Sequence, residues 1–252
     1  MIVDPAVFWL MLSGCALGGL VKGISGSGLP QIAVPLLALT TDAPTAIALV
    51  QIPSMAINII QSRPRSQTPH ALLPLWPIVT ILFLSAIVGV GLLRVTPPAA
   101  LFLIMAGLTF ASAVFLVHRP DFALAPPLHL PIGIPAAAMA GICAGMSSLA
   151  GPILIPYLMS LRLPKDQFVA TISLCYLSIT IPTTVFMLYW GIVDGALFIQ
   201  SGIGVVPALA GMWFGNWVRD RIDERMFRLF VLIMISASAI GLLAKALLGA
   251  GP

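Results

Sequence analysis

The chain has 252 residues, 60% hydrophobic and only 8% charged, with a mean hydropathy of +1.09. Soluble domains carry roughly 25% charged residues, so this composition excludes one and calls for an all-α integral membrane protein. At ~20 apolar residues per crossing the length accommodates about eight hydrophobic segments and little else. The net charge of +4 is spread over a few short loops, where it orients a chain in the bilayer rather than gripping nucleic acid.

In chain order, Met1 to Pro5 carries no basic residue, so the first apolar stretch is expected to stay in the mature protein and not to be cleaved as a signal peptide. Hydropathy and Gly/Pro punctuation then give segments over 7–39, 43–61, 71–93 and 99–117. A Pro-rich linker follows, and the pattern restarts with segments over 132–161, 167–189, 196–217 and 226–248. The expected organisation is a first transmembrane repeat over residues 1–118, a linker over 119–130 and a second repeat over 131–252.

The first and fifth segments are too long for one straight crossing and too short for two. Each is interrupted near its middle by Gly, Ser and Pro. Gly19-Leu-Val-Lys-Gly-Ile-Ser-Gly-Ser-Gly-Leu-Pro30 superposes on Gly141 to Pro152 at an offset of 122 (141 − 19), matching Gly19 with Gly141, Gly23 with Gly145, Ser25 with Ser147 and Pro30 with Pro152. A helix broken inside hydrocarbon frees backbone polar groups that lipid cannot satisfy, so such a break survives only against protein or a water-filled cavity. Paired breaks in two halves point to a binding site between them.

A kinked full crossing would make the halves parallel; a re-entrant hairpin of two half-helices would invert the second. The basic residues favour inversion. With hairpins, Arg63, Arg65, Arg119, Arg162, Lys165, Arg219, Arg221, Arg225 and Arg228 all fall on the cytoplasmic side, leaving Arg94 and Lys245 outside. Full crossings separate Arg63, Arg65 and Arg119 from Arg162, Lys165 and the Arg219 to Arg228 cluster. The expected fold is therefore two inverted repeats, each opening with a broken or re-entrant helix, with both termini on the outer face.

Lys22 is the basic residue that falls inside the hydrocarbon zone away from a segment end. A charge there costs about 2.5–3.5 kcal/mol and marks a pathway or a ligand counter-ion. Gly23, Gly26 and Gly28 let backbone approach a ligand, Ser25 and Ser27 add hydroxyls, and a half-helix starting near Pro30 aims its positive end at the same place. The alternative is that Lys22 snorkels to an interface and the glycines serve packing. In the second half Ala144 replaces Lys22, while Ser147, Ser148 and Gly151 keep the hydroxyls and the break; those serines either face a ligand or bond back to their own helix. At the same offset Gln51 matches Ser173 and Asn58 matches Thr180. Gln51 and Asn58 share one helix face, and with Thr171, Ser173 and Tyr176 they either line a cavity or join helices.

No carboxylate falls inside a segment: Asp42 and Asp194 stand at segment ends, which argues against a carboxylate proton relay. Cys15, Cys143 and Cys175 have no metal-site spacing and are expected to pack. No metal, cofactor or catalytic residue is expected. Trp76, Trp190, Trp213 and Trp217 read as interfacial aromatics, His70 as solvated, and the Arg219-Asp-Arg-Ile-Asp-Glu-Arg225 run as a solvated ion-pair loop.

The pattern Gly19-x-x-Lys22-Gly23-x-x-Gly26-x-Gly28-x-Pro30, its degenerate second copy, Ala170-Thr-Ile-Ser-Leu174 and Tyr189-x-Gly191-x-Val-Asp194 together resemble the TauE/SafE family of membrane transporters along the whole chain. The resemblance implies secondary transport of a small sulfur-containing anion, such as sulfite, sulfoacetate or a related organosulfonate, across the cytoplasmic membrane by alternating access. An anion channel or a carrier of small carboxylates on the same scaffold is the alternative, and an intramembrane enzyme a weaker one. The expected partners are the anion and the lipid bilayer, with no nucleic acid; a homodimer is compatible with the chain but leaves no signature in it.

Overall fold

The computed structural model describes residues 5–37, 40–63, 75–97, 122–233 and 236, with isolated helical positions between 100 and 118. Helix makes up 84% of it and no strand occurs among the described residues. The helices are α1 (Pro5–Ser25), α2 (Leu29–Leu37), α3 (Ala43–Gln61), α4 (Trp76–Leu93), α5 (His129–Ser147, led in by a 3₁₀ turn Pro126–Leu128), α6 (Gly151–Ser160), α7 (Lys165–Tyr189), α8 (Gly195–Ser201) and α9 (Val205–Arg219). A further helix, α10, covers 224–233. Among the described residues six helical spans are long and apolar enough to cross a membrane: Pro5–Ser25, Ala43–Gln61, Trp76–Leu93, Pro126–Ser147, Lys165–Tyr189 and Gly195–Arg219. The seventh expected segment is one such span, tightened into a 3₁₀ turn at Gly202–Gly204 between α8 and α9. His70, Arg65, Arg119 and Lys245 lie outside the described residues.

Both long segments are hairpins. A Cβ on Gly18 would lie 2.9 Å from Leu29 Cα and one on Gly14 3.2 Å from Ala33 Cα, so α2 runs back along α1. In the second hairpin Tyr157 Oη donates to the His129 carbonyl, and Gly133 packs on the same Tyr157 ring. The arms are unequal, which corrects the expectation of two half-helices. The 21 residues of α1 reach about 31 Å at 1.5 Å per residue, enough to cross alone, whereas the 9 of α2 reach about 14 Å. The kinked crossing is not what forms.

Helix boundaries repeat at the sequence offset of 122: α1 and α5 end at Ser25 and Ser147 (147 − 25), α2 and α6 begin at Leu29 and Gly151 (151 − 29), and α3 and α7 begin at Ala43 and Lys165 (165 − 43). Asp42 and Asp194 cap helices, accepting from Thr45 N at 2.8 Å and Ala196 N at 3.2 Å. The end of α3 (Ile60, Gln61, Arg63) shares a cavity with the start of α7 (Asp166, Val169), so these two helices run in opposite directions.

Helices α1 and α9 pack in parallel through small residues: Gly19 against Ala208, Gly23 against Met212 and Gly215. Helices α5 and α4 do the same, with Gly141 against Leu82 and Ser85, and Gly145 against Ala86 and Gly89. Each hairpin therefore leans on a helix from the opposite side of the 119–130 stretch. Lipid offers no hydrophobic drive between helices, so close backbone approach through small residues is what holds such seams. Trp9, Trp76, Trp213 and Trp217 stay exposed on the outer surface.

Candidate functional site

The two breaks meet. The first turn, Gly26-Ser-Gly28, has positive φ at Gly26 (75°) and Gly28 (130°); in the second, Ser148 (φ 60°) takes the position equivalent to Gly26 (148 − 26 = 122). Ser27 Oγ and Tyr176 Oη share a hydrogen bond of 2.6 Å, and Gly151, the first residue of α6, packs on Tyr176 Oη and the Gln31 amide. Tyr176 thus stands between the first turn and the start of α6.

Lys22, Pro30, Gln51, Ser54, Asn58, Ser148, Tyr176, Ile179, Thr180 and Thr183 line a cavity of about 370 Å³, solvent at its opening included. Helices α3 and α7 supply its walls and the two breaks its ends. Lys22 sits in the last turn of α1, 1% exposed. Its Nζ donates to the Gly26 carbonyl at 2.9 Å and lies 4.9 Å from the centre of the Tyr176 ring. An ammonium near a helix C-terminus gains from the macrodipole and from the orphan carbonyls there, which is how this one is held at depth. An ammonium has three N–H donors, so the Gly26 bond leaves donating capacity. Among the described residues, no carboxylate lines the cavity.

The polar wall is incompletely paired. Ser54 Oγ and Asn58 Oδ1 are buried without a hydrogen-bond partner among the described residues, and such groups cost about 1–3 kcal/mol each unless something satisfies them. Rotating the Asn58 amide about its last bond exchanges the orphan acceptor for a donor. Gln51 Nε2 donates to Ser148 Oγ at 3.4 Å, joining α3 to the second break.

Of the residues expected from sequence, Lys22, Gln51, Asn58, Ser148 and Tyr176 line the cavity, with Ser27 and Gly151 around Tyr176. Gly26 and Gly28 shape the turn. Ser25 and Ser147 serve their own turns: Ser25 Oγ donates to Val21 O at 2.9 Å and Ser147 Oγ to Cys143 O at 2.7 Å, and each accepts from a backbone N–H two residues on. Gly23 packs against α9 and Thr171 is buried, both outside the cavity lining. Ser173 Oγ donates to Gln61 Oε1 at 3.4 Å. Ser54 and Thr183 are additions. Ser54 lies three residues from Gln51 and four from Asn58, a spacing that could have found it on the same face.

One expectation is overturned. Arg219 does not belong to a solvated loop: it ends α9 at 3% exposed, Nη1 donates to the Gly23 carbonyl at 3.1 Å, and Nη2 lies 3.6 Å from Asp166 Oδ1. The seam between α1 and α9 brings its guanidinium against the turn that ends α1, which no local pattern encodes.

No curated protein and no solved structure matches the chain. The family model for the sulfite exporter TauE/SafE matches residues 10–242, across both hairpins and the cavity between them, and the chain belongs to that family of membrane transporters.

Proposed function

We propose that this protein is a secondary carrier for a small sulfur-containing anion, such as sulfite, sulfoacetate or a related organosulfonate, exported across the cytoplasmic membrane. Its two inverted halves, residues 1–118 and 131–252, rock about the cavity between the breaks. One observation carries the reading: a buried ammonium faces a cavity whose lining, among the described residues, holds no carboxylate. A bound oxyanion supplies the missing charge, and the side chains of Asn58 and Ser54 supply hydrogen bonds that the protein leaves unmade. The starts of α2 and α6 add the partial positive charge of two helix N-termini. The breaks are the discontinuous helices on which transporters build midplane sites.

The test is uptake of radiolabelled sulfite into proteoliposomes preloaded with unlabelled sulfite. Saturable counterflow is expected for the wild type and loss of at least tenfold in rate for Lys22→Ala, with unchanged insertion and thermal stability. Wild-type counterflow in Lys22→Ala removes this residue from the mechanism, and flux linear in concentration replaces the carrier with a channel.

A further inference from the structure

A second cavity is linked to the first through Gln61, which lines it and donates to the Lys22 carbonyl. It is about 340 Å³ with solvent at its opening included, and the end of α3, the start of α7 and the end of α9 form it. Among the described residues its charged lining is Arg63, Arg219 and one carboxylate, Asp166. Arg219 is buried, and the 3.6 Å separating it from Asp166 is an ion pair without the contact of a short hydrogen bond. Asn216 adds an amide. Between this cavity and Lys22 stands Gln61, whose Nε2 donates to the Lys22 carbonyl and to Asn216 Oδ1, each at 3.4 Å, and whose Oε1 accepts from Ser173 at 3.4 Å. All three bonds are at the long limit of the range, so they hold the partition weakly.

We propose that this second cavity is an anion-binding antechamber. A small oxyanion seats between the guanidiniums of Arg63 and Arg219 and the amide of Asn216, displacing Asp166, and passes Gln61 to reach Lys22. A guanidinium fork matches two oxygens of one oxyanion, which an ammonium cannot do. Asp166 stands opposite the buried Arg219 guanidinium, and a seated anion takes its place there. The Gly23 carbonyl, one residue after Lys22, holds Arg219 in place, so the two sites are built on successive residues of one helix end. The anion's identity rests on the proposed function, whereas the antechamber itself does not need Lys22.

Equilibrium binding of radiolabelled sulfite to purified full-length protein tests it, with sulfate as a second probe. The wild type is expected to show a second saturable site that survives in Lys22→Ala. Arg63→Gln, at an exposed position, should weaken that site about tenfold, the worth of one hydrogen bond to a charged group. Asp166→Asn should tighten it by a similar factor, because the competing carboxylate is gone. A purely structural ion pair would give no such opposite signs. A single site abolished by Lys22→Ala, an Asp166→Asn variant that weakens or leaves binding unchanged, or no saturable binding of either anion overturns the proposal. If Lys22→Ala keeps both sites while Arg63→Gln and Asp166→Asn move one of them, the Lys22 site falls and the antechamber stands.

Discussion

Burying an ammonium costs several kcal/mol unless other groups replace its water, and most proteins answer with a carboxylate. Around Lys22 the replacements are a helix-end carbonyl and an aromatic face. Both are milder partners than an anion, the carbonyl a neutral acceptor and the ring a cation–π contact of about 0.5–2 kcal/mol. The charge is therefore held but not neutralised. Placing a carboxylate in the same cavity should remove the advantage of binding an anion. Asn58→Asp, nearly isosteric, is expected to raise the Kd for sulfite by more than tenfold in equilibrium binding, since it both cancels the ammonium and repels the ligand. Asn58→Ala, which removes hydrogen bonds only, should cost about tenfold or less. Equal effects of the two would show that charge balance at Lys22 is not what the cavity exploits. Lys22 was legible in the sequence because a charge in mid-segment has few structural uses, and Gln51 and Asn58 because amides on one helix face need partners in lipid. Gln61 and Arg219 were not, since their roles depend on which helices the α1 and α9 seam brings together.

At the scale of the element, the break is the feature that one-dimensional pattern located but could not shape. Gly, Ser and Pro placed both interruptions, and their spacing placed the ends of α1 and α5 at equivalent residues. Whether the chain kinked or turned back depended on contacts such as Gly18 with Leu29, which pair residues across the turn. The two turns also solve one backbone problem with different residues. Gly26 has φ 75° and a Cβ there would lie 2.9 Å from Ile172 Cγ2, whereas Ser148 holds φ 60° with a side chain that accepts from Gln51. A non-glycine residue in this region is strained by about 1–2 kcal/mol. Gly26→Ala should therefore destabilise by at least that amount and lower the Tm in detergent, with the clash adding to the strain. Ser148→Gly should leave the Tm level or higher while weakening anion binding, because it relieves strain and removes a hydroxyl that anchors Gln51. A Ser148→Gly variant with wild-type binding would place that hydroxyl outside the site.

The whole molecule is organised by exchange: the hairpin α1–α2 leans on α9, and the hairpin α5–α6 on α4. This arrangement leaves the breaks near the centre, where neither half alone could surround them. It also decides which charged groups share a face. Arg63 and Arg219 line one cavity, which fits the hairpin topology expected to put both on one side and does not fit a chain of full crossings. Arg94 packs over Trp190 at 6.0 Å, beside the turn that precedes Asp194, and so belongs with the opposite face. Single cysteines in a background with Cys15, Cys143 and Cys175 replaced by alanine turn this into a measurement. In right-side-out vesicles a membrane-impermeant maleimide should label Arg94→Cys and Asp194→Cys, and should reach Arg63→Cys and Arg221→Cys only after permeabilisation. Labelling of Arg63→Cys and Arg221→Cys from opposite sides would make the halves parallel. Alternating access by two inverted halves would then lose its geometric basis, because a pseudo-two-fold axis in the membrane plane is what lets one half open inward as its counterpart opens outward.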